Sequence, residues 1–363
     1  MLQRGRTSFR GQAGSTNLGQ KGIQVKHKMI SRKNGIKLVS LVATMLGASL
    51  AQAVPVLDLG AASAYSGFFF GNVTQHSDIE GRMAVKGNLT IDSISVGYRN
   101  PYGSTGPSVV VGGNVNVKDG AIYNGPKDSS INTNLSIGPD SAHWVGAGTV
   151  TGTGIYGGSN LGNTSLGFSK GDTAAINKLF ADSANYFTSF QQSLASQAST
   201  GKISTTNWDI TLSGATKSTT PQVHFFNISD NNLKQLTLDK NSFGSKDWIV
   251  VNLTASGTIK FASDYAGSNL DSFKDRLLFN VVNAQSIELQ YGHGSLVAPK
   301  ADILAASSGH WEGNVVANNN YSTIEIGYEP FVPTSPVPEP ETYAMLLAGL
   351  GAISFVARRR KAS

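Results

Sequence analysis

Residues able to do chemistry are sparse in this chain and poorly spaced for it. Six histidines, His27, His76, His143, His224, His293 and His310, show no His-x-x-x-His or His-Glu-x-x-His pattern. No neighbouring pair of them reads as a metal site. There is no cysteine, which removes thiolate nucleophiles, thiolate-bound metal and disulfides. A phosphate-binding loop is also missing. Asp78 and Glu80 come nearest to a glycosidase carboxylate pair. Two acids at i and i+2 in a Gly-rich turn read more simply as solvated. Asp230-Asn231-Asn232 offers oxygen donors for Ca²⁺ but lacks the Gly and distal Glu of an EF-hand loop, so a turn is the simpler reading. Trp144, Trp208 and Trp311 could stack on sugar rings, with core packing as the competing role. The expectation is a protein with no catalytic residue, no metal and no cofactor.

The elements that would carry such residues sit in an unusual composition. Charged residues make up only 14% and glycines number 41, so Asn, Ser, Thr and Gly do the solvating. Extracellular and repetitive β architectures share this profile. The net charge of +6 is concentrated at the ends. Residues 1–53 hold nine Lys or Arg and no acid, and the last 26 hold four bases against two acids. The body between them keeps 16 basic and 21 acidic residues, a mildly acidic balance. That excludes a basic nucleic-acid surface.

The first 53 residues read as a secretory signal region. Lys26, Lys28, Arg32, Lys33 and Lys37 precede the apolar run Leu38 to Leu50, which is too short to span a bilayer comfortably. Ala51-Gln52-Ala53 supplies the small-x-small cleavage site, with Val54 the first mature residue. Met29 is an alternative start, since the residues before it add nothing the signal needs.

The far end mirrors this arrangement. A Pro-rich linker, residues 332–337, leads to Pro338-Glu339-Pro340, an apolar stretch from Tyr343 to Ala357, and Arg358, Arg359, Arg360 and Lys361. The stretch is marginal for a span, and the basic cluster should stay cytoplasmic. In this order the elements of residues 338–363 resemble the PEP-CTERM sorting signal. The resemblance implies a Gram-negative bacterium that makes exopolysaccharide. It implies an exosortase, a membrane-embedded cysteine protease or transpeptidase, as processing partner, with the inner membrane occupied in transit. Pro338, Glu339 and Pro340 would be its recognition residues. A plain membrane anchor needs no such motif.

Residues 54–331 read as one strand-rich body interrupted by a helix. Ala84 to Ile91 aligns with Val110 to Val117 at an offset of 26, each a short strand, a Gly-Asn corner and a short strand. Such repetition predicts the rungs of a right-handed β-helix or solenoid. Thr149 to Thr153 and Gly313 to Ala317 read as further rungs. Across residues 172–199, Ile176, Leu179, Phe180, Phe187, Phe190 and Leu194 form one apolar stripe with Asp172 as N-cap. Asn177, Lys178, Asp182, Gln191 and Gln192 fall mostly off that stripe. Continuous apolar runs at 248–253, 276–282 and 286–289 predict strands buried on both faces, one toward the coil interior and one toward the helix.

The body resembles the choice-of-anchor A domain. Leu57 to Gly60, Tyr65 to Asn72 and Ser77 to Val85 resemble its start, and Gly294 to Pro299 with Gly309 to Ala317 resemble its end. Lys86-Gly87-Asn88 departs from the usual Gly-Gly-Asn. The resemblance implies a surface protein, some members being collagen-adhesin-like. The expected function is a structural or adhesive component of the cell surface or exopolysaccharide matrix. A polysaccharide lyase is the first alternative, although the basic residues are too diffuse for one. An ice- or crystal-binding solenoid is the second, hinted by Thr149, Thr151 and Thr153, although one row is ordinary β-propensity.

Overall fold

Three-residue apolar segments such as Met83–Val85 and Val109–Val111 become strands with every residue buried. They belong to a computed structural model that describes residues 54–74, 77–101, 103–125, 150–215, 217–265 and 267–334. Ten strands pair in parallel in one sheet. Their order is Val223–Ile228, Trp248–Leu253, Leu277–Val281, Ser295–Ala298, Val315–Ala317, Gly67–Phe69, Met83–Val85, Val109–Val111, Gly154–Tyr156 and Phe168–Lys170. The chain starts in the middle. Gly67–Phe69 pairs with Met83–Val85 on one side and with Val315–Ala317 on the other. The first coils therefore build outward one way, and the last coils return from the far end to meet the first.

Each coil continues onto two further faces. One contains Thr258–Lys260, Ser286–Glu288 and Asp302–Ile303, then bridges through Ile303, Asn320, Val73 and Leu89 to the pair Leu89–Val96 and Val115–Ile122. The other contains Gly292–His293, His310–Glu312 and Glu325–Ile326, and bridges through Ile79 to Val96. Parallel coils stacked on a shared interior form a β-solenoid. The offset of 26 is the pairing register itself, with Ala84 opposite Val110 and Leu89 opposite Val115.

Alternate residues of the ten-stranded sheet serve two cores. Val85, Val111, Ile249, Val251, Leu277 and Phe279 point into the coils. Phe68, Ala84, Val110, Val250, Leu278 and Val316 meet the helix. Ser286–Glu288 departs from expectation. Only its central Ile287 is buried, because the strand lies on an outer face and Glu288 reaches Lys260 at 2.9 Å.

The helix spans Thr173–Ala195, and the Asp172 carboxylate accepts the Ala174 and Ala175 N–H groups. It stops four residues before position 199 because those residues serve the sheet edge. Ser199 Oγ accepts the Asn227 N–H, and the Thr200 N–H donates to Phe225 O. Ile176 lies beside Ile155 and the Leu194 carbonyl accepts from Asn252 Nδ2, so the helix crosses from strand Gly154–Tyr156 to strand Trp248–Leu253. Twenty-three residues give about 34 Å of helix. The seven strand spacings between those two strands also come to about 34 Å. Gln191 corrects the expectation that it lies off the stripe. It is buried, and its Nε2 donates to Asn280 Oδ1, Val281 O and Val297 O at 3.1, 2.8 and 3.2 Å.

Candidate functional site

Gly-Asn corners build an outer edge across the middle coils of the solenoid. Asn319 Oδ1 accepts the Asn72 N–H, Asn72 Oδ1 accepts Asn88 N–H, Asn88 Oδ1 accepts Asn114 N–H and Asn114 Oδ1 accepts Ser159 N–H, at 2.6, 2.8, 2.8 and 2.9 Å. The residue before each donating N–H is a glycine, Gly71, Gly87, Gly113 or Gly158, and has to be. A Cβ on Gly113 would stand 2.5 Å from Asn88 Oδ1 and 2.7 Å from the Gly87 carbonyl. One step along each rung, the bridges align Glu288, Leu304, Tyr321, Thr74, Thr90, Asn116 and Leu161 in an outward row. Tyr321, Thr90 and Leu161 are exposed. This row mixes aromatic, hydroxyl, amide and apolar groups rather than repeating one.

The expected threonine row does not form a face. Thr151 makes an antiparallel bridge to Tyr123, and Thr153 precedes strand Gly154–Tyr156, so both lie along a single rung. Thr149 lies outside the described residues. Stacked threonines would require one per rung.

The remaining candidates fall in separate places. Asp230 caps its own turn through the Asn232 N–H at 2.9 Å. Trp311 is core, with its Nε1 donating to Gly294 O. Trp208 is 82% exposed at the turn before strand Asp209–Ser213. His224 is buried 3.0 Å from Asp247 Oδ2, and His293 Nδ1 lies 2.6 Å from Asp264 Oδ2. His27, His76, His143 and Trp144 lie outside the described residues.

Glu80 corrects the expectation of a solvated acid. It is buried, ion-paired to Arg99, and accepts the Tyr328 N–H at 2.8 Å. Burial works to lower the Arg99 guanidinium, but the Glu80 and Glu312 carboxylates outweigh it and hold it above its ordinary value. Burial and the Glu80 and Glu325 charges push the Tyr98 hydroxyl far up. Neither of these two groups offers a proton near neutrality. Glu80, His310 and Glu312 bring one ligand atom each to within 4.8 Å of one another. Sequence spacing could not reveal this trio, since Glu80 and His310 stand 230 positions apart in the chain.

The two ends of the body meet. Leu57 N–H donates to Thr334 Oγ1 at 2.8 Å and Thr334 N–H donates to Leu57 O at 2.9 Å. Beside them an open pocket of about 510 Å³ is lined by Val54, Pro55, Val56, Val223 and Trp248. The described body therefore begins and ends at one place. Val54 is exposed there, while Ala51, Ala53, Pro338, Glu339 and Pro340 lie outside the described residues.

Residues 58–328 match the family model described as "Putative Ice-binding-like adhesive domain". The chain belongs to this ice-binding-like adhesive family. Residues 336–361 match the PEP-CTERM protein-sorting motif. An adhesive body joined to that motif makes this an exported surface protein, and the motif implies processing by exosortase-type machinery. The family's description is of adhesion rather than catalysis. Among solved structures, an ice-binding protein from the Antarctic ascomycete Antarctomyces psychrotrophicus is 13% identical. The match covers 75% of this chain and 98% of that one, with a TM-score of 0.31. A Shewanella frigidimarina ice-binding protein is 9% identical over 76% and 99% of the two chains, with a TM-score of 0.31. An ice-binding protein from an Arctic yeast is 10% identical over 78% and 98%, with a TM-score of 0.29. At these scores they add nothing to the fold already given by strand pairing. No curated protein matches the chain. Among the described residues no helix is long and apolar enough to cross a membrane, and Tyr343 to Ala357 lies outside them.

Proposed function

We propose that this ice-binding-like adhesive domain is a non-enzymatic matrix adhesin of a Gram-negative surface, with extracellular polysaccharide as its partner. Its precursor comprises a signal region cut after Ala53, a body over residues 54–331, a linker over 332–337 and a sorting signal over 338–363. The inner membrane holds the precursor only in transit, until an exosortase-type enzyme reads Pro338, Glu339 and Pro340.

The mixed outward row carries this reading. Tyr321 supplies a ring face for a sugar, and Thr74, Thr90 and Asn116 supply hydroxyl and amide groups beside it. Successive rungs would let a long polymer make several different weak contacts at once, which raises avidity without one deep pocket. Ice binding is the second reading, favoured by the family description alone.

The test is retention of the exported protein on exopolysaccharide from the producing cells, compared with retention in a growing ice front. Lyase activity is measured on the same polymer. Binding that weakens about tenfold in a Tyr321→Ala, Thr90→Ala double variant supports the adhesin. Polymer cleavage, or incorporation into ice without polymer binding, overturns it.

A further inference from the structure

On the third face of the solenoid, Trp311 pairs with Ile326 and Ile326 bridges to Ile79. The next residues, Glu312, Gly327 and Glu80, therefore share one row, and His310 faces the same way two positions before Glu312. Gly327 leaves a gap in the middle of that row. A Cβ there would overlap Glu312 Oε2 and stand 2.6 Å from His310 Nε2. Both atoms are shielded from solvent and have no hydrogen-bond partner, His310 Nε2 reaching only Glu312 Oε1 at 3.5 Å. Side-chain satisfaction is the rule for enclosed polar atoms, so two such atoms converging on one gap point to a missing partner.

The geometry points to a divalent metal site in the gap above Gly327, formed by Glu80, His310 and Glu312. One nitrogen and two carboxylate groups suit Zn²⁺, whereas Ca²⁺ and Mg²⁺ favour all-oxygen shells. The three donor atoms already lie within 4.8 Å of one another. Arg99 occupies Glu80 Oε2, which also accepts the Tyr328 N–H. Glu80 Oε1 is left with Tyr98 at a long 3.5 Å. Around the gap Glu80, Glu312, Glu325 and Glu329 outnumber the cations Arg82, Arg99 and Lys274. The His310 side chain is 27% exposed, which gives an ion a way in. The three ligands come from coils at the two ends of the sequence, so a bound ion would pin the first coil to the last.

The test is zinc content and thermal midpoint of the exported protein after equilibration with Zn²⁺, Ca²⁺ or EDTA. One Zn²⁺ per chain, and a midpoint several degrees above the EDTA form, are expected. Ca²⁺ should do neither. His310→Gln and Glu312→Gln should each weaken Zn²⁺ binding by more than the 10–100-fold or so that outer-shell partners carry. Gly327→Ala should do the same by filling the gap, and needs only the ends of flexible side chains to move. No retained zinc, or zinc retained equally by wild type and all three variants, would show that water fills the gap and would overturn the site.

Discussion

The Asn88 side-chain oxygen accepts the backbone N–H of Asn114 at 2.8 Å, one coil away and 26 residues later. The same bond recurs from Asn319 to Asn72, Asn72 to Asn88, and Asn114 to Ser159. An amide ladder of this kind satisfies corner N–H groups that the short strands leave over. It also explains the Gly-Asn pairing, since each amide occupies the space where the next coil's Cβ would be.

Gly113→Ala should therefore be worse than Asn88→Ala. Removing the Asn88 amide loses one exposed hydrogen bond, about 0.5–1.5 kcal/mol. Adding a Cβ at Gly113 drives it into the Gly87 carbonyl as well as the amide, and backbone cannot swing aside. A cost of about 1–3 kcal/mol is expected. Urea melts of both variants decide the order, and an alanine at 113 that costs less than one at 88 would refute the steric account.

Phe187, 1% exposed between the helix and the sheet, should cost about 3–5 kcal/mol on truncation to alanine. Asn280→Ala should cost about 1–3 kcal/mol, because it strips a partner from Gln191 and from Asn252 in a buried site. Denaturant unfolding reads both. A loss below about 1 kcal/mol at Phe187, well under that truncation range, would mean the helix is not docked.

Much of this was legible in the sequence, and the reasons differ by element. The helix announced itself through a local stripe and Asp172, and the coils through the 26-residue offset. The order of the sheet was not legible. Gly67–Phe69 meets Val315–Ala317, a contact between coils that no local period encodes. Gln191 was misread because its partners, Asn280, Val281 and Val297, lie about 90–106 residues away. The Glu80, His310 and Glu312 trio escaped for the same reason, since the search for metal ligands used short spacings.

Acid should weaken the body through Asp264. Burial alone would raise its carboxyl, but hydrogen bonds from His293, Ser268 and the Tyr265 N–H outweigh that and hold it below the ordinary 3.8. The unfolded chain then binds more protons in this window, so stability rises with pH there. The contribution is complete above the unfolded value and is lost as pH falls through the lower folded one. Melting midpoints taken from about pH 5 down to about pH 3 should fall less steeply in Asp264→Asn than in wild type. Parallel curves would remove Asp264 from the acid response.

Surface sorting is the centre of the account, and intact mass of the extracellular protein tests it most directly. The described body begins and ends side by side at Leu57 and Thr334, so a leader before it and a sorting tail after it should both be open to processing there. The mature form should begin at Val54 and lack residues 343–363. A retained Met1 or Met29, or an Arg358 to Ser363 tail still present on the secreted protein, would contradict it.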